Sequence, residues 1–263
     1  MPHTTVILAM SADGKITDTA LTAARFGSAN DKSHLEQQVA ASDAVLFGNG
    51  TLRAYGTTLR VISPDLLEQR KLQGKPPQPV QIVCSRSRQF DPNWRFFQQP
   101  VPRWLLTGND ADVSNGLEAR STIDELSCGT GKMPVHKRLI DNGATSQFDR
   151  TLVANTVAGE IDWIDAFQQL ETLGIKRLAI LGGGKLVASV IAADLIDELW
   201  LTVCPLILGG ADAPTPVEGK GFLADLAPKL ELLAVKQVGG EVFLHYRVDR
   251  TLEGGHGGTV PTF

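Results

Sequence analysis

Cysteine, histidine and clustered positive charge are scarce in this sequence, and each scarcity excludes a kind of protein. The three cysteines, Cys84, Cys128 and Cys204, are odd in number and far apart, which fits neither a disulfide framework nor a zinc site. The five histidines show no HExxH motif or comparable ligand spacing, so we predict no metal. A net charge of −4 without a basic stripe argues against nucleic-acid binding, because affinity for a phosphate backbone comes from clustered lysine and arginine.

Long hydrophobic runs are also lacking. The first apolar run, Thr5 to Met10, is too short to span a membrane or to form the core of a signal peptide. We therefore expect a cytoplasmic protein without a membrane partner. At 263 residues, 43% of them hydrophobic, the chain is long enough to bury a substantial core. We predict one domain over residues 1–250 and a flexible tail over residues 251–263.

Three consecutive glycines stand at the centre of the most informative stretch. The apolar run Leu178 to Leu181 predicts a buried strand that ends at Gly182-Gly183-Gly184. Apolar residues at helical spacing follow, and Leu199 to Val203 predicts another strand. Such a turn lets the backbone approach a phosphate, which the free N–H groups of a helix N-terminus attract. The alternative is a glycine-rich connector that binds no ligand.

A second strand followed by glycines lies earlier in the chain. The run Ala44 to Phe47 leads into Gly48, Gly50 and Thr51, which resembles the first half of the dinucleotide fingerprint GxGxxG. Arg53 occupies the position of the third glycine, and no βαβ unit of the expected length with a ribose-binding acid follows. We therefore reject a Rossmann domain. Two glycine turns in one domain still favour a cofactor site more than either turn alone.

The remaining segments complete an α/β pattern. We predict helices at Asn30 to Ala41, with Asn30 or Asp31 as N-cap, and at Asp162 to Leu173, ended by Gly174. Residues 72–79 are expected to form a surface loop, and residues 108–158 show no clear period apart from short strands at 134–135 and 151–153. The other predicted strands are Thr5 to Met10, Val80 to Cys84, Arg103 to Thr107, and a hairpin of Lys229 to Val235 with Val242 to Val248 around Gly239-Gly240.

Charged residues lie where predicted strands end, which is where α/β sheets place ligands. Lys15 and Asp13, in the turn SADGK, are therefore the catalytic candidates, although an Asp-Gly pair is also typical of a plain turn. Arg86 and Arg88 follow the strand that ends at Cys84. They are either solvated surface charges or the residues that pair with the 2′-phosphate of NADP, for which a planar guanidinium is well shaped.

The order of these motifs resembles a known family. The segments SADGK, FGS at 26–28, SDAVLFGNGT, SRS at 85–87, LGGGKL and DELWLTVCPLILGG resemble the reductase domain of riboflavin-biosynthesis deaminase–reductases, in the dihydrofolate-reductase-like superfamily. The resemblance covers nearly the whole chain, and the stretch around Gly182 is its most specific part. The HxE and PCxxC zinc signature of the deaminase is absent, so we expect a stand-alone reductase domain.

The resemblance implies a three-layer α/β fold, in which helices flank a mixed, mostly parallel sheet that ends in a C-terminal antiparallel hairpin, assembled as a homodimer. It implies NADPH as the cofactor and a reaction that reduces the ribosyl group of a 5-amino-6-(5-phosphoribosylamino)uracil-type compound to ribityl. Carried over position by position, the cofactor contacts fall on Ala9, Thr51, Ser85, Gly183, Gly184, Lys185, Leu186, Val187, Ala188 and Ser189. The glycine turns and the arginine loop add Gly48, Gly50, Gly182, Arg86 and Arg88.

This sequence departs from the family pattern mainly where the family binds its substrate. Val39 and Ile62 stand where arginines associated with the substrate phosphate are usual, and Leu181 replaces an acid just before the glycine turn. Arg25 replaces a tryptophan, and residues 54–57 replace an alanine–acid–acid–proline segment.

These departures leave the substrate open. We expect Arg25, Leu59 and Arg60 to contact it, with Lys15 as a further cation for its phosphate. One alternative is a related reductase that acts on another carbonyl, imine or pterin. The other is a domain that binds a nucleotide without turnover.

Overall fold

The computed structural model describes residues 1–109 and 147–249 as an alternation of strands and helices. The helices are α1 (Ala29–Ala41), α2 (Asn49–Tyr55), α3 (Pro64–Leu72), α4 (Trp163–Thr172) and α5 (Gly184–Ala192), with a 3-10 turn at Arg95–Gln98. The strands are β1 (His3–Ser11), β2 (Ala44–Gly48), β3 (Val80–Cys84), β4 (Arg103–Gly108), β5 (Arg150–Ala154), β6 (Thr156–Val157), β7 (Glu160–Ile161), β8 (Arg177–Ile180), β9 (Glu198–Cys204), β10 (Lys229–Val238) and β11 (Glu241–Asp249).

Nine of these strands form one sheet in the order β10-β11-β9-β1-β8-β2-β3-β4-β5, and β6 pairs with β7 in a separate ribbon. The strands from β9 to β5 run parallel to their neighbours, and β11 and β10 add an antiparallel hairpin at one edge. Strands buried on both faces read as continuous apolar runs, and β2 is such a strand, with Ala44, Val45 and Leu46 fully buried. The predicted mixed, mostly parallel sheet with a C-terminal hairpin is confirmed.

Helices cover both faces of the sheet. On one face α1, α2 and α3 pack around a core that includes Val39 and Leu52. On the other face α4 and α5 contribute Phe167 and Val187 to a second core. Because alternate side chains of a strand point to opposite faces, the same strands supply both cores. The expected three-layer arrangement is therefore confirmed.

Two helices lie where the sequence predicted a turn or no element. The helix α2 begins at Asn49, inside the segment that we predicted to be a glycine turn, and is capped at its C-terminus by Gly56, whose φ of +63° is left-handed. The helix α3 begins with Pro64, whose fixed φ suits the first turn of a helix. Neither helix is long enough to show a clear apolar period, which is why the pattern did not reveal them.

The N-cap of α1 also differs from the prediction. Ser28, and neither Asn30 nor Asp31, caps the helix, because its hydroxyl accepts the amides of those two residues at 3.0 and 3.4 Å. The second predicted helix is α4, capped by Asp162 and followed by Gly174 with a φ of +83°.

Within residues 108–158, which showed no clear sequence period, the described part contains β5, β6 and the last residue of β4. The prediction of a short strand at 151–153 is confirmed by β5, which extends the parallel sheet beside β4. The strand expected at 134–135 and the tail expected over residues 251–263 lie outside the described residues.

Candidate active site

The carboxyl ends of the parallel strands form a crevice at one edge of the sheet. The chain passes from β1 through α1 to β2, and it passes from β8 through α5 to β9, which lies on the far side of β1. The two connections therefore leave the centre of the sheet in opposite directions. Open α/β sheets bind ligands at such a switch point.

The two glycine turns meet in this crevice. The amide of Gly48 donates to the carbonyl of Gly182 at 3.0 Å, so the end of β2 and the end of β8 are hydrogen-bonded directly. Gly182 has a φ of +107°, and the peptide between it and Gly183 is cis. A Cβ atom at Gly183 would lie 3.7 Å from the hydroxyl of Thr51. The structure thus brings together Gly48, Thr51, Gly182 and Gly183, which the sequence predicted separately.

Gly184 is required for packing within the chain. A Cβ atom at this position would overlap the carbonyl oxygen of Thr215 and would lie 2.7 Å from Cγ of Glu218. The amide of Glu218 also donates to the carbonyl of Gly184 at 3.2 Å. The segment around residues 215–218 therefore lies against the start of α5.

The other residues predicted in α5 are not equally placed to contact a ligand. Lys185 is exposed in the first turn, whereas Leu186 and Val187 are buried in the core. The amide of Val187 already donates to the carbonyl of Gly183 at 3.1 Å, and the Ser189 hydroxyl donates to the carbonyl of Leu186 at 2.8 Å. Ala188 lies against Gly219, where an added Cβ would be 3.7 Å away. Within the first turn of α5, Lys185 is the exposed side chain.

The two predicted arginines differ in their surroundings. Arg88 donates to the hydroxyl of Thr107 at 3.2 Å and to the carbonyl of Gly108 at 3.3 Å, and its amide donates to the hydroxyl of Ser85 at 3.2 Å. Arg86 is exposed and pairs with the exposed Glu160 at 2.7 Å. Arg88 therefore ties the loop to the end of β4, whereas Arg86 points into solvent.

The turn after β1 is held by its own side chains. The carboxylate of Asp13 accepts the amides of Leu208 and Gly209 at 3.0 and 2.7 Å. The hydrogen bond from Ser11, followed by these amide bonds, lowers the pKa of Asp13 to about 2. The ammonium of Lys15 donates to the carbonyl of Ala213 at 3.2 Å. Both catalytic candidates thus link the turn to the loop after β9, and their part in catalysis stays a prediction.

The candidate substrate residues lie around α2 and before α1. Arg25 is exposed, Leu59 packs partly against the core, and Arg60 is half-buried. Of the two positions where the family has arginines, Val39 is fully buried in α1 and Ile62 is 58% exposed. Neither side chain can replace a cation, so Lys15, Arg25 and Arg60 stay the predicted phosphate contacts.

A group of polar residues beside α1 was missed by the sequence analysis. Glu241 is 3% exposed, and it accepts the amide and the hydroxyl of Ser28 at 2.7 and 2.5 Å. Burial raises the pKa of Asp31, whose carboxyl also hydrogen-bonds Thr202 and feels the charge of Glu241. These residues are up to 213 positions apart, so no local motif could have linked them.

One buried acceptor in the crevice is unsatisfied. Oδ1 of Asn49, at the start of α2, has no hydrogen-bond partner among the described residues, whereas its Nδ2 donates to the carbonyl of Gln89 at 3.4 Å. A Cβ atom at the adjacent Gly50 would meet nothing within 4 Å. The end of β2 therefore offers both open space and a hydrogen-bond acceptor.

This sheet and crevice define the class of α/β proteins that bind a ligand at the carboxyl edge of a mostly parallel sheet. Within that class the chain belongs to the family of the RibD C-terminal domain, whose model matches residues 2–244.

Two archaeal relatives align over most of their length. The chain is 29% identical over 222 residues to a 2,5-diamino-6-ribosylamino-4(3H)-pyrimidinone 5′-phosphate reductase of Archaeoglobus fulgidus, covering 84% of this chain and 89% of that protein. It is 25% identical over 249 residues to a protein of the same name from Methanothermobacter thermautotrophicus, covering 94% and 98%.

A solved structure agrees in fold. A pyrimidine reductase-like protein from Corynebacterium diphtheriae matches with a TM-score of 0.69 at 21% identity, over 95% of this chain and 92% of that one.

Two kinds of feature are absent from the described residues. Within residues 1–109 and 147–249, no helix has the length and apolarity needed to cross a membrane. In the same ranges, no three His, Cys, Asp or Glu side chains are grouped so that they could hold a metal ion.

Proposed function

We propose that the protein is an NADPH-dependent reductase that converts the ribosyl group of a phosphorylated ribosylaminopyrimidine to ribityl. The observation that carries this proposal is the direct contact of the two glycine turns at the switch point, where Gly48 donates to Gly182 at 3.0 Å. Membership of the RibD C-terminal domain family supports it.

The residues of the crevice fit a dinucleotide. The open side of Gly50 and the absence of a side chain at Gly183 leave room for a ligand close to the backbone. The free first-turn amides of α5 suit a pyrophosphate, and the unsatisfied Oδ1 of Asn49 suits an N–H donor such as a carboxamide. Arg86 would pair with the 2′-phosphate. When it is bound, NADPH supplies the hydride.

The protein's own contribution is orientation and exclusion of water. The hydrogen bond between the two turns holds the ends of β2 and β8 together, and Asp13 and Lys15 hold the turn after β1 against the loop that follows β9. Hydride transfer needs no nucleophile or metal from the protein, because that chemistry belongs to the cofactor. Correct placement of the two reactants supplies much of the rate acceleration.

The relatives indicate the substrate class. The archaeal relatives, which align along nearly their whole length, are named for a 2,5-diamino-6-ribosylamino-pyrimidinone 5′-phosphate. We extend this class to the present chain, together with the closely related 5-amino-6-(5-phosphoribosylamino)uracil. A cytoplasmic location follows from this proposal, because both the reductant and the substrate are soluble metabolites.

A related reductase with another substrate is the second candidate. Val39 is fully buried and Ile62 carries no charge, so two cations associated with a substrate phosphate are lost. Leu181 packs against the core beside α1, where the family has an acid. These observations favour a carbonyl, imine or pterin without a phosphate.

We further propose that the protein is a homodimer assembled through the hairpin. A register shift between Leu232 and Ala234 places Leu230, Leu232 and Val235 on one face of β10, opposite Val248, Tyr246 and Leu244 of β11. The three β10 side chains are 46%, 51% and 58% exposed. Long, apolar edge strands tend to pair with another chain, and a second copy of this protein would cover this one.

The experiment is an assay of NADPH oxidation with both phosphorylated pyrimidines and with their dephosphorylated forms. We expect turnover of at least one phosphorylated compound. The double change Lys15→Ala with Arg60→Ala should raise its KM, because lost ground-state contacts appear mainly in KM, while the KM for the dephosphorylated form changes little. A protein that binds NADPH but reduces none of the four compounds, and does not restore growth without riboflavin to a strain lacking its pyrimidine reductase, would favour the second candidate.

A further inference from the structure

A cluster of polar side chains lies between the N-terminus of α1 and the sheet. Ala9 of β1 pairs in register with Thr202 of β9, and β8 lies on the other side of β1. Neighbouring strands are about 4.8 Å apart, so Thr202 lies roughly 10 Å across the sheet from the strand that ends at Gly182. Asp31, in the first turn of α1, forms a side-chain hydrogen bond with Thr202 at this point. Its carboxyl therefore lies beside Ala9, one of the residues that we expect to contact the cofactor.

A second carboxyl lies behind Asp31. Glu241 receives the amide and the hydroxyl of Ser28, and the thiol of Cys204 lies 3.8 Å from its Oε1. The two oxygens of Glu241 thus accept from three donors, at the start of α1 and at the end of β9. Burial, followed by the charge of Glu241, raises the pKa of Asp31. Unequal surroundings of two neighbouring carboxyls push their pKa values apart, so that one can act as an acid while the other is charged.

We propose that Asp31 donates the proton in the reduction and that Glu241 is the positioning residue that keeps this proton on Asp31. The proposal rests on the proposed function. In the open form of a ribosylamine the bond to be reduced is C=N. Its carbon receives the hydride of the reduced nicotinamide, the π electron pair moves to nitrogen, and that nitrogen takes the proton of Asp31. The products are a C–H bond, an N–H bond and an Asp31 carboxylate, which is half-exposed and recovers its proton from water.

The thiol and the phenol that face Asp31 keep their protons at neutral pH, so neither competes with Asp31 as the acid. The groups that face Asp31 are Glu241 from β11, Cys204 from β9 and Tyr55 from α2, whose phenol lies in turn near Arg25. Burial raises the pKa of the Cys204 thiol to about 12 and raises the pKa of Tyr55 above its ordinary value of 10.0. Both therefore stay protonated at neutral pH. Substrate binding removes water from Asp31 and raises its pKa further.

The test compares Asp31→Asn with a matched control. Asp65→Asn makes the same change in the first turn of α3, at an exposed position. Loss of a general acid lowers kcat by about 10²–10⁴-fold, and we expect this for Asp31→Asn with a much smaller change in KM. Wild-type kcat should fall as the pH rises through the pKa of Asp31, and this fall should be missing in Asp31→Asn. Asp65→Asn should keep the wild-type profile.

Two measurements distinguish proton donation by Asp31 from a purely structural role of this residue. Glu241→Gln should move the fall in kcat to lower pH, because it removes the negative charge that holds the proton. The carboxyl carbon of Asp31, identified by NMR from the signal missing in Asp31→Asn, should titrate above 3.8 without any ligand.

Two results would overturn the proposal. One is a kcat of Asp31→Asn within about threefold of an active wild type. The other is titration of Asp31 at or below its ordinary value. A wild-type protein that reduces no ribosylaminopyrimidine refutes the proposed function itself, and this proton-transfer step with it.

Discussion

Gly183 and Gly184 are neighbours in the chain, but they lack side chains for different reasons. Gly183 has a φ of −71°, which any residue adopts, and a Cβ there would make an ordinary contact with Thr51. A Cβ at Gly184 would overlap the backbone of Thr215. The space at Gly183 is thus open, whereas the space at Gly184 is filled by the chain itself.

A pair of alanine substitutions tests this difference. Gly183→Ala should weaken NADPH binding by about tenfold, equivalent to roughly 1.4 kcal/mol, with little change in the free energy of unfolding. Gly184→Ala should lower the free energy of unfolding by about 1–3 kcal/mol, because overpacking forces the 215–218 segment to move. Calorimetric titration and urea unfolding measure the two effects. Unchanged NADPH affinity in Gly183→Ala would argue against a cofactor between the turns.

Arg86 is the better candidate of the two arginines for selecting NADPH over NADH. Its exposed pair with Glu160 contributes at most about 1 kcal/mol, so Arg86→Ala should leave stability unchanged. A charged hydrogen bond to the 2′-phosphate contributes about 1.5–3 kcal/mol, so the NADPH/NADH preference should fall by about tenfold or more. Arg88→Ala is the contrasting variant, because it also releases the loop from Thr107 and Gly108. A preference unchanged in Arg86→Ala would move the role elsewhere.

At the scale of elements, the turn after β1 and the loop after β9 are joined by one carboxylate. Asp13 accepts the amides of Leu208 and Gly209, and its pKa in the folded protein is about 2 instead of 3.8. A depressed pKa means that folding favours the ionised form, so the stabilisation is complete above the ordinary pKa and is lost as the pH falls through the folded one.

The corresponding prediction concerns Asp13→Asn. Its melting temperature should lie below that of the wild type at pH values above 3.8, and the difference should shrink as the pH falls toward 2. Calorimetry of both proteins over this range measures the difference. A gap of constant size down to the lowest pH would show that the charge of Asp13 does not hold the loop.

A different element, α3, shows how a buried charge escapes sequence analysis. Arg70 is 1% exposed and donates to the carbonyls of Ala40, Ser42 and Pro76 at 2.6 to 2.8 Å. It thereby satisfies acceptors at the end of α1, which helices leave without internal partners. Charged residues are almost never fully buried unless they are paired. Because Arg70 lies in the polar segment QRKL, the sequence alone indicates an exposed side chain and not this buried role.

At the scale of the whole molecule, the apolar face of β10 decides the proposed assembly. Val235→Lys should convert the dimer to a monomer, because a charge would be buried in the contact. The matched control is Val157→Lys, at an exposed position of β6, which should leave the dimer intact. Sedimentation or light scattering gives the mass, and NADPH binding checks that both variants are folded. A wild-type protein that is monomeric at all concentrations would contradict the proposed dimer.

Most of the fold could be predicted because buried parallel strands appear in the sequence as short apolar runs. The runs that became β1, β2, β3 and β8 are mostly apolar, since both of their faces are buried. Short helices such as α2 and α3 show no clear apolar period in the sequence, so they were not predicted. The strands β5 to β7 lie in a stretch of mixed polarity, which gives a weak strand pattern. For the site, the two glycine turns were found because glycine marks the chain locally. The cluster of Asp31, Thr202 and Glu241 was not, because its members come from three distant elements.

The sequence by itself determined the two glycine turns, since each is a short local segment. The order of its motifs along the chain determined the family and, through the family, the layer architecture. The tertiary structure alone decided which of these residues share a crevice. In the folded chain Gly48 donates a hydrogen bond to Gly182, Arg88 donates to Thr107 of β4, and Arg86 is exposed at the surface. The tertiary structure also placed Asp31 against Thr202, with Glu241 behind it. The physical reason is that the order of strands in the sheet, which sets these contacts, differs from their order in the chain.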